Sequence, residues 1–436
     1  MILSREWIQK LVKHQMVHSA LMLYGVQFSS YIFPLLTLPY LSRVLSPDRF
    51  GLIAFAQSFI WYFVTLTEYG FNMTATRRIA VERDNPKAVS LTFNSVIAAK
   101  VLLCVIGFLM MAVTVALVPR LRPDWILYFI CYLSVVGSTL FPLWLFQGLQ
   151  KLQHVALRDF GVKLLALIAV FALVRRESDY LIAAAIPAGA LAVAGLIGLA
   201  MAPKIASVRF AIPPWHEVAA QLREGFPVFI SMTAMALYGS TNTFILGLVS
   251  NNTEVGHFSG AWRVIVALRM LVGPLVTTIY PHISRVAARS QADAIRFLRR
   301  YSLILSAPFL AGGVVLFLSA PRLIPLLLGP KYQASIVLIQ IMAFSPFLCS
   351  LANCYSTYYM LPFGYDKQWT QLILWGIPVN FVVLLPLLWL IQPAQAVALA
   401  TTGLDLYAFI APFIFYLRTS RKLMAKAPGA PASIEM

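Results

Sequence analysis

The sequence predicts an all-α protein that crosses a membrane about twelve times. Three observations predict it. Hydrophobic residues make up 60% and charged residues 11% of the chain, and the mean hydropathy is +0.79. Apolar runs of roughly 17 to 25 residues follow one another along the whole chain. The basic residues gather in the connections between those runs. A soluble chain of 436 residues does not carry this composition. In hydrocarbon each backbone N–H and C=O must be satisfied inside its own segment, so each run is read as a helix.

Residues 1–17 place Leu3, Trp7, Ile8, Leu11 and Val12 on one helical face and Arg5, Lys10 and Lys13 elsewhere, the pattern of a cytoplasmic interfacial helix. The spans follow at approximately 19–41, 50–71, 91–116, 124–146, 155–174, 180–200, 226–249, 258–281, 301–319, 333–359, 370–390 and 394–417. The second run is the most informative. From Phe50 to Leu66 it is apolar, then reads Glu68-Tyr69-Gly70-Phe71-Asn72, then turns basic at Arg77-Arg78. A carboxylate in the last turn of a span must face protein or water, so Glu68 marks either a port into a polar interior or a side chain reaching the headgroups beside Arg77 and Arg78.

Orientation follows from the basic residues. One set of connections, with both termini, holds roughly 22 Lys and Arg against about 8 on the other side, which makes the first set cytoplasmic. The opposite connections are short and leave no room for a folded domain. Connection 202–225, with Pro213-Pro214-Trp215, reads as a cytoplasmic linker between two six-helix lobes, 18–201 and 226–418; residues 419–436 read as a disordered cytoplasmic tail. A faint repeat agrees with two lobes: Ser46-Pro47-Asp48-Arg49-Phe50-Gly51 and Ser250-Asn251-Asn252-Thr253-Glu254-Val255-Gly256 each open a span after a polar turn. Ser290 and Asp293 have the spacing of a helix-capping pair. The small residues Ala184, Ala188, Gly195 and Gly198 in the sixth span suit close helix packing.

Ionisable residues far from a span end are the functional candidates. Counted at ~1.5 Å per residue, Lys100, Lys163, Arg269 and Asp405 lie on the order of 12 to 16 Å deep, and Arg263 about 7 Å from the outer edge. Each such charge costs ~2.5 to 3.5 kcal/mol if it faces lipid, so they are expected to face an interior. Three of the four deepest are cationic, which points to a central cavity that receives an anion; Lys100, Arg269, Lys163 and Arg263 are the candidate binding residues, and Glu68 and Asp405 the candidate gating or ion-coupling groups. Balanced pairs such as Asp405 with Arg269 are the structural alternative.

The chain has no phosphate loop, no His-Glu-x-x-His motif and no dinucleotide fingerprint, so neither direct ATP coupling nor a cofactor or metal is expected. Cys104, Cys131, Cys349 and Cys354 lie inside apolar runs and imply no disulfide. The formal charge of +18 is spread over connections, not gathered in a nucleic-acid-binding domain.

Several motifs together resemble the O-antigen flippases of the Wzx type: Leu38-Pro39-Tyr40-Leu41-Ser42-Arg43, Glu68-Tyr69-Gly70-Phe71-Asn72-Met73-Thr74, Pro142-Leu143-Trp144-Leu145-Phe146-Gln147-Gly148, Glu224-Gly225-Phe226-Pro227 and Ile279-Tyr280-Pro281-His282. The resemblance implies the fold of the multidrug/oligosaccharidyl-lipid/polysaccharide (MOP) exporters, a MATE-like arrangement of two lobes about a central cavity. It implies a multi-pass protein of the bacterial inner membrane, and the distribution of basic residues places both termini on the cytoplasmic side. The implied activity is movement of an undecaprenyl-diphosphate-linked oligosaccharide between leaflets for lipopolysaccharide biosynthesis, with a polysaccharide polymerase and a chain-length regulator as partners besides the membrane lipids. The alternatives are a cation-coupled multidrug exporter, which would want carboxylates in its lobes, and an O-antigen polymerase or ligase, which would want a large outward loop.

Overall fold

The structure, a computed structural model, describes residues 33, 35–151 and 153–425, without the side chains of 153–158, 234–240 and 425. The expected interfacial helix 1–17, most of the first span and residues 426–436 lie outside the described residues. Among the described residues, nine stretches are long and apolar enough to cross a membrane. The expected spans 155–174 and 226–249 fall on helices Gln153–Leu173 and Trp215–Val249, each of which contains side chains outside the described set.

The chain divides into two compact units, residues 1–236 and 237–436. In the first, helices α1 (Pro47–Glu68) and α2 (Phe71–Glu82) are followed by α3 (Pro86–Leu117), α4 (Trp125–Leu140), α5 (Leu143–Gly148), α6 (Gln153–Leu173) and α7 (Tyr180–Ala206). Residues 207–214 lead into α8 (Trp215–Val249), so the connection is shorter than the sequence suggested, and the division between units falls inside α8. The second unit contains α9 (Asn252–Met270), α10 (Val272–Arg289), α11 (Gln291–Leu327), α12 (Ser335–Met342), α13 (Ser345–Tyr355), α14 (Asp366–Leu390) and α15 (Pro393–Ala425). The last helix continues through 419–425, a stretch expected to be disordered.

Local sequence explains where the helices begin. Ser46 caps α1 by accepting the Arg49 N–H, and Pro47 fills the first helical position, where no N–H is needed. Asn85 with Pro86 does the same for α3, and Asn251 accepts the Glu254 N–H at α9. The repeated motif is therefore an N-cap in both places. Ser290 accepts the Asp293 N–H at 3.2 Å and starts α11.

Interruptions matter more than starts. Four expected spans are broken helices: at Tyr69-Gly70, at Phe141-Pro142, at Leu271, and at Ala343-Phe344 followed by a π-helical turn Ser356–Met360. Around the first two breaks the core of the first unit is Phe71, Ile79, Phe93, Trp144, Leu145 and Val218. The core of the second gathers Ile283, Ile295, Leu298, Tyr355, Tyr359 and Tyr416 beside the π turn. Helices α4 and α7 cross through glycine: a Cβ on Gly137 would lie 2.4 Å from the Leu191 backbone, and one on Gly195 2.4 Å from the Gly137 carbonyl oxygen. The small-residue face expected on the sixth span is used at this crossing.

Candidate functional site

The end of α1 is made by two left-handed residues, Tyr69 at φ 45° and Gly70 at φ 80°. Glycine is required at the second, because a Cβ there would stand 2.6 Å from Val228 Cγ1. Tyr69 adopts a conformation that costs a side-chain-bearing residue roughly 1–2 kcal/mol, and it is held by a ring stacked on Phe229 at 4.6 Å and 13°. This break ends the helical ladder at Glu68 and leaves the carboxylate beside α3 and α4.

There both oxygens of Glu68 accept hydrogen bonds. Lys100 Nζ lies 3.2 Å from Glu68 Oε1; the Ser138 hydroxyl donates to the same oxygen and the Asn72 amide to Oε2. The lysine side chain is 0% exposed and the glutamate 29%. Lys100 also donates to the Ser138 carbonyl at 2.8 Å. That carbonyl is available for a reason written in the sequence: its helical partner would be the N–H of residue 142, and residue 142 is proline. The second break thus supplies the acceptor that holds the lysine against the first. Arg77 and Arg78 have other partners, Glu224 at 2.7 Å, and Glu82 at 3.2 Å with Glu217 at 3.6 Å. Glu68 is thus bonded to Lys100, Ser138 and Asn72, while Arg77 and Arg78 are paired elsewhere.

Glu68 lines a cleft of ≈ 570 Å³ within the first unit. Three helical stripes line it: Gln57, Ile60, Trp61, Val64 and Glu68 on α1, continued by Asn72 on α2; Cys131, Ser134 and Ser138 on α4; Ala184, Pro187, Ala188 and Leu191 on α7. The spacings of three, four and seven residues put each set on one face.

In the second unit, Arg269 Nη1 lies 3.1 Å from Asp405 Oδ1 and donates to Ser345 Oγ at 3.3 Å, while the Ser345 hydroxyl donates to Asp405 Oδ2. Arg269 is 24% and Asp405 4% exposed, and the guanidinium sits 5.5 Å from the Trp262 ring centroid. Arg269 lies just before the break at Leu271 and Ser345 at the start of α13, while Asp405 lies within α15. Buried carboxylates of this kind tolerate their charge only while it is paired. Arg269→Gln should therefore lower stability by about 3 kcal/mol, and Arg269→Gln with Asp405→Asn should recover most of it. Thermal unfolding of the purified protein measures both.

The excess of deep cations expected from the sequence is corrected by these pairs. Lys163 lies 2.6 Å from Asp159 one turn earlier on α6, so Lys100, Lys163 and Arg269 each face a carboxylate. Arg263 is half-buried on α9, on the same helix as Arg269. No group of three or more potential metal ligands occurs among the described residues. Gln57, Trp61, Asn72, Ser134 and Ser138 were not singled out in the sequence, because only charges were ranked by depth; the run of polar and aromatic residues on one face of α1 was the available signal.

A model of the polysaccharide biosynthesis protein family matches residues 16–287. A protein of Escherichia coli (strain K12) named as an O-antigen transporter is 33% identical over 362 residues, 83% of this chain and 87% of the relative. A Shigella dysenteriae protein of the same name is 25% identical over 374 residues, 86% of this chain and 93% of that one. Among solved structures, an inward-facing multidrug resistance MATE family transporter of the MOP superfamily superposes with a TM-score of 0.67 at 13% identity, covering 91% of this chain and 96% of its own. A Vibrio cholerae MATE transporter gives 0.57 at 17% identity, over 95% and 98%. At these identities the likeness to the two solved structures is one of fold.

Proposed function

Because this chain belongs to the polysaccharide biosynthesis protein family, we propose that it moves undecaprenyl-diphosphate-linked O-antigen repeat units from the cytoplasmic to the periplasmic leaflet of a bacterial inner membrane. It is a multi-pass membrane transporter with a MATE-like fold, not an enzyme. The observation that supports the finer reading is the cleft beside Glu68: polar side chains gathered among membrane-spanning helices, in a relative of a protein named for O-antigen transport. A polar headgroup crossing a bilayer needs such a lining, since each unpaired polar group costs several kcal/mol in hydrocarbon.

In this proposal the polyprenyl tail stays in lipid while the polar headgroup crosses through the protein, which alternates between inward- and outward-open states. Arg269, Arg263 and Lys163 meet the diphosphate or acidic sugars in one of those states. Lys100 is buried behind Glu68 and acts through it. Glu68 and Asp405, each bonded to a cation and with a helix break beside one member of each pair, Glu68 in one and Arg269 in the other, are the gating groups: exchanging a cation partner frees that break to move. Both termini are cytoplasmic, and a polymerase with its chain-length regulator receives the product.

The test is deletion of the gene, followed by the lipopolysaccharide ladder and a leaflet-resolved assay of lipid-linked repeat units. Ladder loss with repeat units held on the cytoplasmic face is the expected result. Single units that reach the periplasmic face without being polymerised would overturn the reading in favour of a polymerisation role.

A further inference from the structure

We infer that the cleft in the first unit is a subsite for a neutral or N-acetylated pyranose, and that it discriminates against uronic acids. The inference rests on the transport reading above and goes further by naming the sugar chemistry and its location.

A pyranose offers two kinds of surface: a face of C–H groups, weakly positive, and an edge of hydroxyls that both donate and accept. The cleft offers the complement of each. Trp61, 50% exposed on the α1 stripe, presents a broad ring whose negative face suits C–H groups. Gln57 and Asn72 are planar amides carrying donor and acceptor together, and the Ser134 and Ser138 hydroxyls, whose O–H groups donate to the Cys131 carbonyl and to Glu68, offer acceptor lone pairs. A carboxylate has about four acceptor positions; Glu68 uses its own for Lys100, Ser138 and Asn72, which leaves Oε2 able to accept one more hydroxyl. Ile60, Val64, Pro187, Ala188 and Leu191 supply an apolar wall for an acetamido methyl group. The volume lies in the ~300–1,000 Å³ range of small-ligand sites.

Charge decides between sugar classes. Among the described residues lining the cleft there is one carboxylate and no Lys, Arg or His. The charge of Glu68 is already balanced by Lys100, whose own side chain is sealed from the cleft. The site therefore attracts neither cations nor anions, and a uronate carboxylate entering it would lose hydration and find no cation to compensate.

The probes are N,N′-diacetylchitobiose, mannobiose and methyl glucuronide, titrated by calorimetry into the purified full-length protein. At least one neutral disaccharide is expected to bind at least tenfold more tightly than the glucuronide. Trp61→Ala should weaken that binding at least tenfold, Trp61→Phe should restore most of it, and Gln57→Ala should weaken it severalfold. Trp389→Ala, at a 91% exposed position in the second unit, should leave it unchanged. Equal binding to wild type and Trp61→Ala, or glucuronide binding as tight as the neutral sugars, would overturn the subsite. The two readings also fail separately. A lost ladder in the deletion strain with no neutral saccharide bound by wild type removes the subsite and leaves transport standing; an intact ladder removes transport.

Discussion

Lys100→Met is expected to lower the stability of the folded protein by about 3 kcal/mol, the lower end of the range for breaking a buried ion pair. The lysine is fully buried, and its one amine satisfies two acceptors on different helices, Glu68 Oε1 at 3.2 Å and the Ser138 carbonyl at 2.8 Å. Methionine fills the volume and offers neither bond. Glu68 is then a partly buried carboxylate without its cation, and Ser138 a carbonyl without a donor. Because Glu68 keeps 29% exposure, water screens part of the loss, which is why the lower figure applies. Lys100→Met combined with Glu68→Gln should recover most of the stability, since a neutral amide can still bond Ser138 and Asn72. Thermal unfolding in detergent reads the three proteins, and the lipopolysaccharide ladder reads transport. A Lys100→Met protein as stable as wild type but inactive would mean that the lysine meets substrate directly.

The second large effect is expected at Gly137. Its hypothetical Cβ lies 2.4 Å from the Leu191 carbonyl carbon and oxygen and 2.6 Å from the Ala192 nitrogen, all main-chain atoms. Overpacked side chains can turn away at a cost of about 1–3 kcal/mol. Backbone in a membrane helix cannot, because its hydrogen bonds have no substitute there. Gly137→Ala should therefore cost at least about 3 kcal/mol, and Gly137→Leu should leave little monodisperse protein on size exclusion. Gly189→Ala, on α7 with open space around its Cβ, is the control and should behave as wild type. Separating α4 from α7 also opens the cleft, since Ser134 and Ser138 lie on one helix and Pro187 and Leu191 on the other.

Much of the fold is legible in the sequence because hydrocarbon leaves the backbone so few options: runs of the right length become helices, and Ser46, Asn85 and Ser290 start them where their side chains can accept an N–H. The site is less legible, for two physical reasons. Counting depth from span ends treats a helix as an unbroken ruler, whereas the turn at Tyr69-Gly70 stops one helix and sets its last carboxylate against Lys100 on another. No spacing rule joins residues so far apart along the chain. The partner of Lys163 was legible, since Asp159 stands at i−4, but ranking charges one at a time passes over such pairs. The cleft was hidden differently: apart from Glu68, its polar residues are uncharged, so they carry no signature in a search for costly charges. Only the recurrence of Gln57, Trp61 and Glu68 on one face of α1 betrays it.

The proline at position 142 and the lysine at position 100 form a single unit of heredity. Pro142→Ala, ordinarily a helix-mending change, would return an N–H to the Ser138 carbonyl and set up a competitor for the amine, so the repaired helix would loosen the very contact that locks it to its neighbour. A drift to an ordinary residue at 142 thus makes the charge at 100 dispensable, and then a burden that Glu68 alone must justify. The three positions are expected to change together or not at all, and a graft of one of them into another chain would carry none of its meaning.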